Sequence, residues 1–113
     1  MKKKEQVFNK LVRDKIPEII ENNGDIPITR ILDDKEYKVE LEEKLLEEFY
    51  EAIACDTSED RLEEYADLLE TLSALAEIEG SSLEDVITIM TKKRKERGGF
   101  SKRIFLKKTI NKK

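Results

Sequence analysis

The sequence predicts an all-α domain: an antiparallel helical bundle of three main helices plus a short N-terminal helix, with its core completed by oligomerisation. Three observations carry that expectation. Charged residues make up 42% and hydrophobic residues 38% of the 113 positions, with 2 Pro and 4 Gly to interrupt them; this is the composition of a helix-rich, well-solvated domain. Apolar residues recur at helical spacing through three long stretches. Finally, the breaks between those stretches are short and polar, Asp56-Thr57-Ser58 and Gly80-Ser81-Ser82, which favours antiparallel neighbours. A chain of this length makes one domain, over residues 1–113, small enough for a partner subunit to complete its core.

Residues 1 to 8 read as a loosely ordered lead-in. Asp14 is a candidate N-cap for a short helix, Pro17 is tolerated in its first turn, Ile16, Ile19 and Ile20 give it a buried side, and Asn22-Asn23-Gly24 ends it. Ile26 to Leu32 leans towards β structure, with Pro27 restricting it to an edge strand or an ordered loop. Asp33-Asp34 opens the first long helix, which runs to about Cys55 with Tyr37, Leu41, Leu45, Phe49, Ala52 and Ile53 on its apolar face. Thr57 or Ser58 caps the second, which ends at Gly80; Leu68, Leu72 and Leu75 form its core stripe, flanked by Leu69 and Ala76. Ser81 or Ser82 caps the third, with Leu83, Val86, Ile87 and Met90 inward and a stop at Gly98-Gly99. Ser101 to Leu106 is a candidate short strand beside Ile28 to Leu32, and Lys107 to Lys113 a frayed tail.

What is missing narrows the chemistry. Histidine is absent, which excludes a Ser-His-Asp triad, a histidine general acid and a Glu-x-x-His di-iron bundle. Cys55 is the one cysteine, so a zinc site of several thiolates within one chain is excluded; without an internal disulfide the chain suits a reducing cytoplasm. The bland reading of Cys55, a small residue near a helix end, outweighs a reactive thiol. No apolar run approaches the ~18 residues of a membrane span, and no apolar segment follows the basic start, so no signal peptide is expected.

Two carboxylate pairs stand out, Glu48-x-x-Glu51 and Glu64-x-x-Asp67, on the two helices that flank the first break. Residues three apart share a helix face, so antiparallel packing can bring four carboxylates together. Glu48 projects between Tyr37 and Leu41 at the edge of the apolar face, with Glu51 just outside it. Glu64 projects between Leu75 and Ile78, with Asp67 next along. Carboxylates at the border of a core are costly unless paired or metal-bound, and an all-oxygen set suits a hard cation such as Mg²⁺. The plain alternative is that such pairs recur by chance in so acidic a chain.

Charge is divided along the sequence. Residues 1–90 carry 11 basic and 25 acidic side chains, whereas residues 91–113 carry 11 basic residues and only Glu96. Lys93 and Arg97 share a helix face, and Gly98-Gly99 lets backbone approach a phosphate; equally, cations in a last helical turn complement the helix dipole. The overall acidity, with few aromatics in the basic stretch beyond Phe100 and Phe105, disfavours nucleic acid as a partner.

The order of these pieces resembles the all-α nucleoside triphosphate pyrophosphohydrolase superfamily, the MazG-like and phosphoribosyl-ATP pyrophosphohydrolase-like group. The family pattern E-E-x-x-E, spacer, E-x-x-D is present as Glu47-Glu48-Phe49-Tyr50-Glu51, twelve residues, then Glu64-Tyr65-Ala66-Asp67; Ala66 stands where MazG proper usually has glycine. NKLVRDKIPEII at 9–20 and KKRKERGGF at 92–100 resemble one branch of that group. The resemblance implies hydrolysis of a nucleoside triphosphate between the α and β phosphates, with clearance of non-standard nucleotides as one setting for it. It implies Mg²⁺, or Mn²⁺ in its place, held by Glu48, Glu51, Glu64 and Asp67, with Glu47 and Glu48 as candidates for acting on the attacking water. Lys10, Arg13, Lys15, Lys93 and Arg97, with the Gly98 backbone, become candidates for gripping the substrate. Asp14 is either a helix cap or a contact to base or ribose. A homodimer or larger assembly, with no membrane partner, is the implied state. The competing reading is a non-catalytic helical interaction module whose acidic faces are merely solvated.

Overall fold

The computed structural model describes residues 4–112, which contain four α-helices and no strand. They are α1 (Ile16–Asn22), α2 (Asp34–Ala54), α3 (Ser58–Ile78) and α4 (Leu83–Arg97). Local chemistry sets the long helices' starts. Asp33 Oδ1 accepts from the Glu36 amide at 2.8 Å, Thr57 Oγ1 from Asp60 at 3.1 Å, and Ser82 Oγ from Asp85 at 3.1 Å. Each cap satisfies one of the amides that a helix start leaves unpaired. The two choices open in the sequence therefore fall to Thr57 and Ser82. Gly80 and Gly98, at φ 75° and 84°, end α3 and α4 in backbone conformations that side chains with a Cβ rarely adopt.

α2 and α3 form the body of the fold as an antiparallel hairpin. Arg61 donates to the Ala52 carbonyl, while Thr71 donates to Glu48; partners move apart in sequence along the helices, as antiparallel packing requires. Arg61 also donates to the Cys55 carbonyl and so ties down the turn between the helices. α4 packs on α3 less extensively, and α1 packs on no other helix among the described residues. The single chain is thus a helical hairpin with appendages, more open than the bundle the periodicity suggested.

The core is correspondingly thin. Leu41, Ala52 and Ala76 are the buried hydrophobic residues among those described. Phe49, Ile53, Leu69 and Leu72 remain exposed, and so do Val86, Ile87 and Met90, which the spacing had turned inward. Their periodicity does mark one face of each helix, but packing among the described residues buries little of it beyond Leu41, Ala52 and Ala76.

Two local expectations are corrected and one choice is decided. Asp14 does not cap α1: Lys15 occupies the N-cap position, with no side-chain cap bond. Of the edge strand and ordered loop offered by the sequence, residues 26–32 form the loop, anchored where Arg30 forks onto Glu36 with bonds of 3.2 and 2.6 Å. Residues 101–106 form no strand: a turn closed by the Arg103 amide on the Phe100 carbonyl, at 2.9 Å, leads into irregular chain.

Candidate metal centre

The α2–α3 hairpin carries the four motif carboxylates, and its packing gives them unequal surroundings. Glu48 is only 5% exposed and accepts from the hydroxyl of Thr71, itself 4% exposed. Glu64 is half-buried, and its Oε2 is shut off from water with no hydrogen-bond partner. Asp67 is half-buried one turn further on, and Glu51 is exposed. Burial pushes the Glu48 carboxyl above its usual range, opposed by the Thr71 hydroxyl and the Lys44 charge. Burial raises Glu64 as well, and the charges of Glu51, Asp67 and Glu48 push in the same direction. The four carboxylates are therefore electrostatic neighbours.

Arg13 completes this surface. Its guanidinium donates to Asp67 Oδ1 at 2.6 Å, bridging 54 positions of sequence. Among the described residues no three acidic or thiol side chains are arranged to hold a metal ion as they stand. The donor chemistry nevertheless fits a hard cation. All four groups are oxygen donors, and the buried Glu64 oxygen without a partner is the kind of group that a cation or a proton must satisfy.

The remaining candidates lie elsewhere. Glu47 is exposed and lines a separate hollow between the N-terminal segment and α2, with Phe8, Lys10, Leu11, Glu43 and Lys44. Asp14 and Lys15 are exposed at the start of α1. Lys93, Arg97 and Gly98 are exposed at the end of α4. The structure thus joins Arg13 to the carboxylate-bearing hairpin through Asp67.

A stretch of 53 residues is 49% identical to an uncharacterized protein of Mycolicibacterium smegmatis. That stretch is 47% of this chain and 54% of the relative, so the chain spans about half of the relative's length. No protein-family model matches the chain, and no solved structure matches it.

Two residues escaped the sequence reading. Thr71 is four positions after Asp67 and so shares its helix face, while Lys44 is four positions before Glu48. Both follow from the i, i+4 rule. Neither residue type, however, stands out as a metal-site component in a linear scan. Cys55 Sγ donates to the Glu51 carbonyl at 3.2 Å, and burial raises the thiol's pKa, with the charges of Glu64 and Asp60 adding to the effect.

Proposed function

We propose that this chain is a Mg²⁺-dependent nucleotide pyrophosphohydrolase, which cleaves a nucleoside triphosphate between the α and β phosphates to a monophosphate and pyrophosphate. The observation that carries the reading is the gathering of Glu48, Glu51, Glu64 and Asp67 on the hairpin, with one Glu64 oxygen buried and unpartnered. A cluster of this kind repels itself when ionised and is relieved by a cation. Glu48, Glu51, Glu64 and Asp67 would hold the ion, Mn²⁺ serving as an alternative. A bound divalent ion supplies charge neutralisation on phosphate oxygens and a lowered pKa for a nucleophilic water.

The chain's own groups have distinct tasks in this reading. Thr71 fixes the Glu48 carboxylate by donating to it, so Glu48 is pre-oriented and loses little side-chain freedom on binding. Arg13 competes with a cation for Asp67 Oδ1; once displaced, its planar fork is suited to a phosphate oxygen pair. Lys44, beside Glu48, adds a second cation at the same end of the cluster. Lys10 and Glu47 in the neighbouring hollow are candidates for the outer part of the nucleotide and for a proton acceptor, and Asp14 and Lys15 flank Arg13 in sequence. The working unit is a homo-oligomer.

The test is pyrophosphate release from a panel of standard and modified nucleoside triphosphates with Mg²⁺, wild type beside Glu64→Gln. Pyrophosphate from the wild type alone supports the reaction and the site together. Orthophosphate as the product refutes the cleavage position. Silence over the whole panel, with no thermal shift on adding Mg²⁺, turns the reading into that of a helical interaction module.

A further inference from the structure

The chain exposes far more surface than a folded monomer of its size. Its accessible surface is 11155 Å², whereas a compact monomer of 13.2 kDa exposes about 6,400 Å². Its radius of gyration is 19.9 Å with extents of 78 × 36 × 23 Å, against about 13 Å for a compact chain of this length. The excess, about 4,700 Å² on one chain, is well above the ~800 Å² per partner of a standard interface.

The excess has a distinct location. Every residue from Glu84 to Lys112 is exposed. Past α4 the segment 100–110 holds Phe100, Ile104, Phe105, Leu106 and Ile110 outside any helix or strand, all between 74% and 98% exposed. The same segment carries Lys102, Arg103, Lys107 and Lys108 and no acid. On the hairpin, Phe49, Ala52, Ile53, Arg61, Tyr65 and Leu68 line an open apolar groove. Arg61 is the charged residue in that lining, with Asp60 and Glu64 near it in the sequence. Apolar side chains and cations on one element therefore face an apolar groove on a body, residues 1–90, that carries 25 acidic against 11 basic side chains.

We infer that the segment 100–110 of one copy lies in the α2–α3 groove of a second copy, in a reciprocal exchange of arms. The arm is exposed along its whole length, and a two-fold exchange uses the same complementary pair of surfaces twice. Aromatic and aliphatic anchors in a groove supply affinity, and the acidic body attracts the basic arm and sets its orientation. This specifies the oligomeric contact and does not depend on the hydrolytic reading; mass and activity are separate readouts.

The experiment is sedimentation equilibrium of the full chain at micromolar concentration, beside Ile104→Glu/Phe105→Glu on the arm and Ile53→Glu in the groove. All three positions are exposed in the single chain, so folding is spared, and helical circular dichroism checks this. The expected result is a wild-type dimer and, for either variant, a dimer Kd raised by at least about 100-fold, as for loss of central anchors. A short bismaleimide, applied to a Lys107→Cys chain, is expected to join the introduced thiol to Cys55 of the other copy. A monomeric wild type overturns the inference. So does a dimer indifferent to both variants, or a cross-link formed only within one chain, which puts the arm on its own body.

Discussion

Glu48 and Glu64 hold the same nominal place in their motifs, yet packing gives them different problems. Glu48 is buried with a donor, Thr71; Glu64 has a buried oxygen without one. Thr71→Val leaves the buried Glu48 carboxylate unsatisfied and is expected to cost about 1–3 kcal/mol, read by urea unfolding, with Thr71→Ser retaining most of the stability. Glu64→Gln is expected to weaken Mg²⁺ binding by at least about 100-fold, since outer-sphere partners alone are worth about 10- to 100-fold; titration calorimetry measures it. The pH dependence follows from the raised pKa values of both glutamates. Each binds a proton more tightly folded than unfolded, so the stability it contributes is fully present below the ordinary value of 4.5 and is lost as pH climbs through the raised folded value. In EDTA, Glu64→Gln should therefore be more stable than wild type at pH 7, with the advantage shrinking towards pH 4.5 in thermal melts. Arg13 and Asp67 form an exposed pair, worth only about 0–1 kcal/mol. Arg13→Ala is accordingly expected to leave the melting temperature nearly unchanged while raising KM for the triphosphate, which steady-state kinetics would show.

At the level of helices and turns, the structure keeps what depends on neighbours in sequence. The Asp33, Thr57 and Ser82 caps and the glycine stops place the ends of α2, α3 and α4 within a residue or two of where the sequence put them. Thr57→Ala removes the bond to the Asp60 amide and should cost about 1 kcal/mol, as N-cap losses do, measured as a shifted urea midpoint. The carboxylate pairs were legible for the same reason: three-residue spacing on a helix fixes the face. The candidate strand at 101–106 and the edge-strand alternative for 26–32 are absent because a strand needs a partner, and β-leaning residues such as Ile28 and Ile31 or Ile104 and Phe105 do not by themselves provide one. Asp14 failed as a cap because the chain turns one residue later, where Lys15 precedes Ile16 and Pro17.

For the molecule as a whole, the imbalance between periodicity and burial is the main result. Helical stripes that read as core are left open on α2, α3 and α4, and the inferred exchange of arms would tie the chain's stability to association. Its melting temperature should therefore rise with protein concentration, as linkage to self-association requires, and scanning calorimetry over a hundredfold range would show it; a concentration-independent transition counts against this. Among the described residues no helix is long and apolar enough to cross a membrane.

What could be read in the linear chain is everything that local spacing decides: helical class, caps, helix ends, and which carboxylates share a face. Those properties depend on backbone geometry and on residues within a turn of one another. Only the tertiary structure decided that Thr71 meets Glu48, that Arg13 reaches Asp67 across the fold, and that Glu64 keeps an unpartnered oxygen. These depend on how two helices pack and where the chain ends are carried, and contacts between distant residues leave no periodic trace in a sequence.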